Sequence, residues 1–305
     1  MKLKRRKADN LPVAWNNVDE KALLTYLKKG DFDAKLLKKL FPNRTLPSIR
    51  SKVRKLRIKH DLFGSTYRNE KENFTIRIAK KVKPKIVFDC YAGAGHQTFK
   101  WIEEAEKVYA SEIMLSKLSQ FNKTAKNFGF EKVKTKNLFW KKYKKGEKEI
   151  YLYLGDVIDA AAELKVGRIK IDLVDLDTCG SSIPVLPIIL VLLKPRHVVI
   201  THGEFHSMRF KRQDVLQRLL MHRDIRKNPL PLNVKQMEEE LDKAVKTAGL
   251  RAHNETSDSF WLDLRDETWL GGRFHGMLRR YYKTSRPIAT ADCINSLVNL
   301  KTVIE

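Results

Sequence analysis

The sequence predicts an α/β chain: a doubly wound, mostly parallel sheet preceded by a small all-α domain. Three observations lead there. Short apolar segments at 86–90, 107–111, 150–154, 171–176 and 197–201 alternate with stretches long enough for crossover helices. Over residues 15–60 the apolar residues recur at helical spacing instead. The charge divides at the same place: residues 1–86 hold 25 basic against 8 acidic residues, so about +17 of the total +25 sits in the first quarter of the chain.

The first 60 residues read as three short amphipathic helices. Val18-Asp19-Glu20 opens the first, which carries Ala22, Leu23, Tyr26 and Leu27 and ends at Gly30. Asp31 or Asp33 caps a second with Leu36, Leu37 and Leu40, stopped by Phe41-Pro42-Asn43. The third, over 47–58, puts Ile49, Val53 and Leu56 on one face and leaves Arg50, Arg54, Lys55 and Arg57 pointing elsewhere. Three helices with a basic last one are the plan of a helix-turn-helix unit, and the four basic residues are its candidate nucleic-acid contacts. A solvated Lys/Arg face on a small helical domain is the plainer alternative. Residues 61–85 read as a basic linker with a lead-in helix. From 86 to 305 runs the α/β body, in which 234–248 is expected as a helix ending at Gly249, followed by strands at 260–264 and 274–283.

Composition narrows the class. A hydrophobic content of 42% excludes a wholly disordered polybasic chain, and the excess of Lys and Arg points to a polyanionic partner. Cys90, Cys179 and Cys293 are too few and too scattered for a disulfide framework or a zinc knuckle, so a cytoplasmic protein is expected, with no membrane partner. The longest apolar run, 183–193, contains two prolines and is too short to span a bilayer.

The chemistry begins at Asp89-Cys90-Tyr91-Ala92-Gly93-Ala94-Gly95, a strand running into a glycine turn that opens a helix near His96. Glycines there let a ligand approach the backbone, and the following helix start favours an electron-rich group. About 17 residues on, a second strand ends at Glu112, placed to accept the two hydroxyls of a ribose. Leu154-Gly155-Asp156-Val157 ends a third strand, and Asp175-Leu176-Asp177-Thr178-Cys179-Gly180-Ser181-Ser182 ends a fourth. In this order, the four elements resemble the motifs of Rossmann-like methyltransferases that use S-adenosyl-L-methionine (SAM). The resemblance implies a SAM site formed by Asp89, Tyr91, Gly93, Gly95, Glu112, Asp156 and Val157, with Asp156 facing the adenine amino group.

The segment 175–186 is similar to the D-x-D-P-F-G-S-P-x-P-F motif of tRNA guanine-N2 dimethyltransferases. That implies methylation of an exocyclic amine, with Asp175 and Asp177 at the methyl end and Asp177 holding the amine by a hydrogen bond. Thr178 stands where the motif has proline, and Cys179 where it has the base-stacking aromatic. Phe205, Trp140 or Tyr143 is then the substitute stack. Two other readings remain: Cys179 as the nucleophile of a cytosine-C5 methyltransferase, or a non-catalytic DNA-binding regulator on the same fold. Trp15, Asp19-Glu20, Leu23-Leu24, Phe41 to Thr45 and Ile49-Arg50-Ser51-Lys52 resemble one Myb/SANT-type repeat. Because helix-turn-helix units read a major groove, DNA is the expected substrate, with tRNA as the alternative.

Beyond 200, Thr201-His202-Gly203-Glu204-Phe205-His206 ends the fifth strand, where His202 or Glu204 is placed for acid/base work. No fourth ligand accompanies His202, Glu204 and His206, so no metal is expected. The runs 208–227, with Arg209 and Arg212, and 136–148, which interleaves Phe139, Trp140 and Tyr143 with lysines, are further candidate nucleic-acid contacts.

Overall fold

The structure is a computed structural model. It describes residues 14–28, 34–59, 67–135, 137–178, 180–209, 216, 233–256, 260–271 and 276–285. The chain forms two compact units, Met1–Asn69 and Glu70–Glu305.

In the first unit, α1 (Asn17–Lys28), α2 (Ala34–Leu40) and α3 (Leu46–Lys59) enclose a core of Leu23, Leu27, Leu37, Phe41, Ile49, Val53 and Leu56. The expected apolar row of α3 is buried as read. In α2 only Leu37 is: Leu36 and Leu40 are exposed, because a seven-residue helix touches its neighbours along one narrow stripe. Arg44 is an internal strut. Its guanidinium bonds Asp19 at 2.6 Å and the Ala14 carbonyl at 2.9 Å while stacking over Trp15. Arg50, Arg54 and Lys55 are exposed on α3, and the side chain of Arg57 lies outside the described residues.

The second unit is built on a nine-stranded sheet of order β3-β4-β5-β2-β1-β6-β7-β9-β8. Its parallel centre is β5 (Lys148–Leu154), β2 (Lys107–Glu112), β1 (Ile86–Asp89), β6 (Leu173–Leu176) and β7 (His197–His202). At one end β4 (Trp140–Lys145) and β3 (Glu131–Val133) add an antiparallel arm, and at the other β9 (Met277–Ser285) and β8 (Trp261–Leu270) do the same. The sheet winds outward in both directions from between β1 and β6. In such sheets ligands bind at that switch point, beyond the carboxyl ends of the strands.

One face carries α4 (Arg68–Val82), α5 (His96–Trp101) and α6 (Leu118–Asn127); the other carries α7 (Val157–Val166), α8 (Leu186–Leu193) and α10 (Val234–Thr256). A short α9 (Glu204–Arg209) follows β7. Most of the stretch read as linker is α4, whose Phe74, Ile78 and Ala79 are core residues; 61–66 lie outside the described residues. Gly249 does not end α10, which continues to Thr256. A Cβ at Gly249 would lie 2.3 Å from the Phe260 carbonyl oxygen, so the glycine serves close packing of the helix on the chain entering β8.

Within the run read at 136–148, residues Trp140–Lys145 form β4, with Trp140 buried in the core on one face of the sheet and Tyr143 in that on the other; neither is available to stack on a base. Of the described residues, no helix is long and apolar enough to cross a membrane.

Candidate active site

The carboxyl ends of β1, β2, β5 and β6 carry the predicted residues, and the structure divides them into two differently built groups. The first lies over β1, β2 and β5. Gly95, at φ +88°, takes a backbone conformation that side chains rarely adopt, and a Cβ there would meet Phe99 and Phe121 at 2.9 Å. The turn is pinned to the neighbouring strand: Gly93 N–H donates to Glu112 Oε2 at 2.8 Å, and Met114 N–H donates to Oε1 at 2.7 Å. Glu112 is thereby fixed in orientation while half-exposed. Ile113 and Met114 beside it stand 66% and 54% exposed, an apolar pair next to a fixed acceptor. Asp156, also exposed, caps α7 through Oδ1 to the Ile158 N–H at 2.7 Å.

Two expected cofactor contacts turn inward instead. Asp89 is buried, with Oδ2 accepting from the Thr98 hydroxyl at 2.6 Å and Oδ1 from Tyr91 N–H at 3.3 Å, so it braces the turn from below. Val157 packs in the core against α8 neighbours. Tyr91 is half-buried against the same core.

The second group lies under the ends of β6 and β7, a chain of buried charges. Asp175 Oδ2 accepts from Trp101 Nε1 and from Arg279 Nη2, both at 2.7 Å. Arg279 also donates to the Thr201 hydroxyl at 2.6 Å and to Thr75 at 3.2 Å, and Thr75 donates to Gln97 Oε1 at 2.6 Å. Asp175 and Arg279 have no exposure at all, so Asp175 belongs to this network and not to a substrate surface. Asp177 lies two residues further on, directly after the end of β6. Lys71 Nζ donates to both its oxygens, at 2.7 and 2.8 Å.

Electrostatics separates the three carboxylates. Burial and the nearby Asp175 charge push Asp89 up to about 7. Burial also raises Asp175, against the pull of Arg279. For Asp177 burial acts in the same direction, but Lys71 and Arg279 outweigh it and hold the group below its ordinary value. Three carboxylates with two cations leave one surplus negative charge, and the upward shift of Asp89 to about 7 lets a proton on that carboxyl offset it near neutral pH.

Thr178 Oγ1 accepts from Gly180 N–H at 3.3 Å and lies 3.4 Å from the Ser182 hydroxyl. Phe205 is buried edge-on against Trp269, so with Trp140 and Tyr143 it is removed as a stacking partner; Phe139, by contrast, is 54% exposed. His202 and Glu204 are both fully buried, 3.6 Å apart, with His202 Nε2 turned to Tyr282. Among the described residues no cluster suits a metal ion. Cys179 and Arg212 lie outside the described residues, as does the side chain of Arg209.

Sequence reading missed Lys71, Trp101 and Arg279. Lys71 was visible in principle: Lys71, Phe74, Thr75 and Ile78 fall at i, i+3, i+4 and i+7, the buried row of α4. A lysine on such a row must have a buried acid to meet.

No protein-family model and no curated protein sequence matches the chain. Solved structures do. Trm1 from Pyrococcus horikoshii, in complex with S-adenosyl-L-methionine, superposes with a TM-score of 0.57 at 18% identity, over 74% of this chain and 57% of that one. A tRNA m1G37 methyltransferase from M. jannaschii matches with a TM-score of 0.40 at 14% identity, over 70% of this chain and 49% of that one. The first similarity establishes the fold: a Rossmann-like methyltransferase fold, with the sheet order given above. The chain spans little more than half the length of that Trm1.

Proposed function

We propose that the chain is a SAM-dependent methyltransferase acting on an exocyclic amine of a nucleic-acid base, with RNA of the tRNA class preferred over DNA. One observation carries the reading: a carboxylate locked to the glycine turn (Glu112 on Gly93) stands two strands from an ionised, buried-edge carboxylate (Asp177) at the switch point of the sheet. The residues fit the cofactor. Glu112 keeps lone pairs for the ribose hydroxyls, Asp156 is exposed toward an adenine amine, and Ile113 and Met114 offer apolar faces for the ring.

Bound SAM supplies a methyl group activated by its sulfonium. The rest is positioning by the chain. Asp177 accepts an N–H from the target amine, which fixes the nitrogen lone pair in line with the methyl. Once methylated, the amine nitrogen would shed its extra proton to solvent or to the Asp177 carboxylate. The glycine turn and Glu112 hold the donor side fixed while Asp177 holds the acceptor side.

The preference for RNA rests on the likeness of 175–186 to the tRNA guanine-N2 motif and on the fold shared with Trm1. The pointer to DNA was the helix-turn-helix plan alone, and the exposed Arg50, Arg54 and Lys55 of α3 suit RNA phosphates equally. In this reading the first unit grips the polyanion, and 70–305 carries out the transfer.

The test is binding of radiolabelled SAM, then label transfer to tRNA, duplex DNA and single-stranded DNA in parallel. We expect label on tRNA, and its abolition in Asp177→Ala with SAM binding kept. Failure to bind SAM sinks the enzyme reading; label confined to DNA overturns the substrate. In the full chain, replacing Arg50, Arg54 and Lys55 by Gln should lower the salt slope of nucleic-acid binding by about two to three. An unchanged slope removes α3 from the interface.

A further inference from the structure

We propose that Lys71 is the positioning residue for Asp177: its ammonium clamps both carboxylate oxygens, so that the acid meets the target amine as a fixed, ionised acceptor. The proposal rests on the amine-methylation reading and names a residue outside every motif of the sequence.

The geometry is that of a dedicated pair. Lys71 and Asp177 are 6% and 9% exposed, and lysine at such depth is rare without a partner. Both oxygens are engaged, at 2.7 and 2.8 Å, which fixes the carboxylate plane as a single hydrogen bond would not. The lysine cannot easily withdraw, because its helix is anchored one turn on by Thr75, bonded to Gln97 and Arg279, and by Phe74 and Ile78 in the core. With Lys71 on both oxygens and the Thr201 hydroxyl on the carboxylate as well, a lone pair remains for one incoming N–H.

The other groups that act on Asp177 do not replace Lys71. Arg279, from β9, is attractive but spends its hydrogen bonds on Asp175, Thr201 and Thr75. Asp175 and Asp89, from β6 and β1, are like charges, and Thr201, from β7, is uncharged, its hydroxyl hydrogen bond lowering Asp177 less than Lys71 does. Burial by itself would draw a proton onto Asp177, and a protonated acid would present a donor to the amine and misplace its lone pair. Lys71 supplies the largest counteracting attraction, so the ionised state depends on it.

The test uses the full-length protein and its Lys71→Met and Lys71→Arg variants. kcat and KM for transfer to tRNA are measured across pH, SAM affinity by calorimetry, and the Asp177 carboxyl by carbon-13 titration. For Lys71→Met we expect kcat to fall about 100-fold with SAM affinity held within about twofold. The acid limb of the pH–rate profile and the carboxyl titration should both move up by about one to three pH units. Lys71→Arg should restore most of kcat and the low acid limb. A fall in kcat with an unmoved acid limb makes Lys71 a structural strut and overturns the proposal; a rise in kcat makes the clamp inhibitory and also overturns it. If Lys71→Met does not fold, the wild-type carboxyl decides alone: a titration above the ordinary carboxylate range is fatal. Absence of transfer by the wild type to any nucleic acid would instead defeat the proposed function, while the carboxyl titration would still judge the clamp.

Discussion

At the β2–β5 end of the sheet, Glu112 and Asp156 are held by backbone N–H groups and remain in contact with water. Across the switch point, Asp175 and Asp177 are held by Arg279 and Lys71 and are almost entirely removed from it. The first arrangement costs little to keep, since a hydrated carboxylate at a turn or helix start is already near its preferred state, and a ligand has only water to displace. The second carries a large desolvation cost that is offset only while every partner is present. Glu112 and Asp156 are thus replaceable without harm to the fold, whereas Asp175, wholly buried with Arg279, is part of what keeps the molecule folded.

The largest effect expected from this contrast is at Arg279. Arg279→Met leaves Asp175 as an unpaired buried charge, and we expect a loss of about 3–5 kcal/mol in denaturant unfolding. A loss under about 1 kcal/mol would place the buried side on the same footing as the exposed one.

Next comes pH. Asp89 is raised to about 7, so the folded chain keeps there a proton that the unfolded chain releases near pH 4. Its contribution is full below that lower value and is lost as pH rises toward 7. The wild-type melting temperature should drop by on the order of 5 °C between about pH 5 and pH 8, and Asp89→Asn should flatten much of that slope. Asp177, held low, acts oppositely: its contribution is present above the ordinary carboxylate value and fades in stronger acid. A wild-type melting temperature that climbs over the first interval would contradict a proton held on Asp89 in the folded chain.

On the exposed side the readout changes from stability to affinity. Glu112→Gln should weaken SAM binding about 30-fold, or ~2 kcal/mol, with the melting temperature within about 2 °C of wild type. Unfolding of this variant would show that the turn depends on the carboxylate charge. The smallest effect is at Asp156: asparagine caps helices nearly as well, so Asp156→Asn should cost only about threefold in SAM affinity and nothing in stability. Calorimetry beside thermal unfolding separates the two roles.

The same contrast governs what the sequence could reveal. The exposed group sits where short-range patterns are strongest, at strand ends followed by glycine or by a helix cap, and Gly93, Gly95, Glu112 and Asp156 stand out there. The buried group is assembled from residues 71, 101, 175, 177 and 279, whose proximity is a property of the sheet order and leaves no local trace. Parallel strands β1, β2, β6 and β7 were legible within one or two residues because each carries a short, largely buried apolar core, even where Asp175 interrupts that of β6. The β4 arm was not: Trp-Lys-Lys-Tyr-Lys-Lys buries every third residue, a period belonging to neither strand nor helix, and its lysines mimic a phosphate-binding run. Gly249 misled for a related reason, since a glycine that permits close packing reads the same as one that ends a helix.

The position of Arg279 on β9 has a consequence for how the chain is made. The arginine is 104 residues beyond Asp175, so at ribosomal speeds of about 5–20 residues per second the acid waits roughly 5–20 s for its counter-ion. During that interval β1, β6 and β7 have been synthesised but cannot close over ionised side chains without penalty. A polypeptide cut short before β9 has Asp175 but lacks the arginine that pairs with it. Among the described strands β9 is the last made, so Asp175 acquires its counter-ion only in chains translated at least that far.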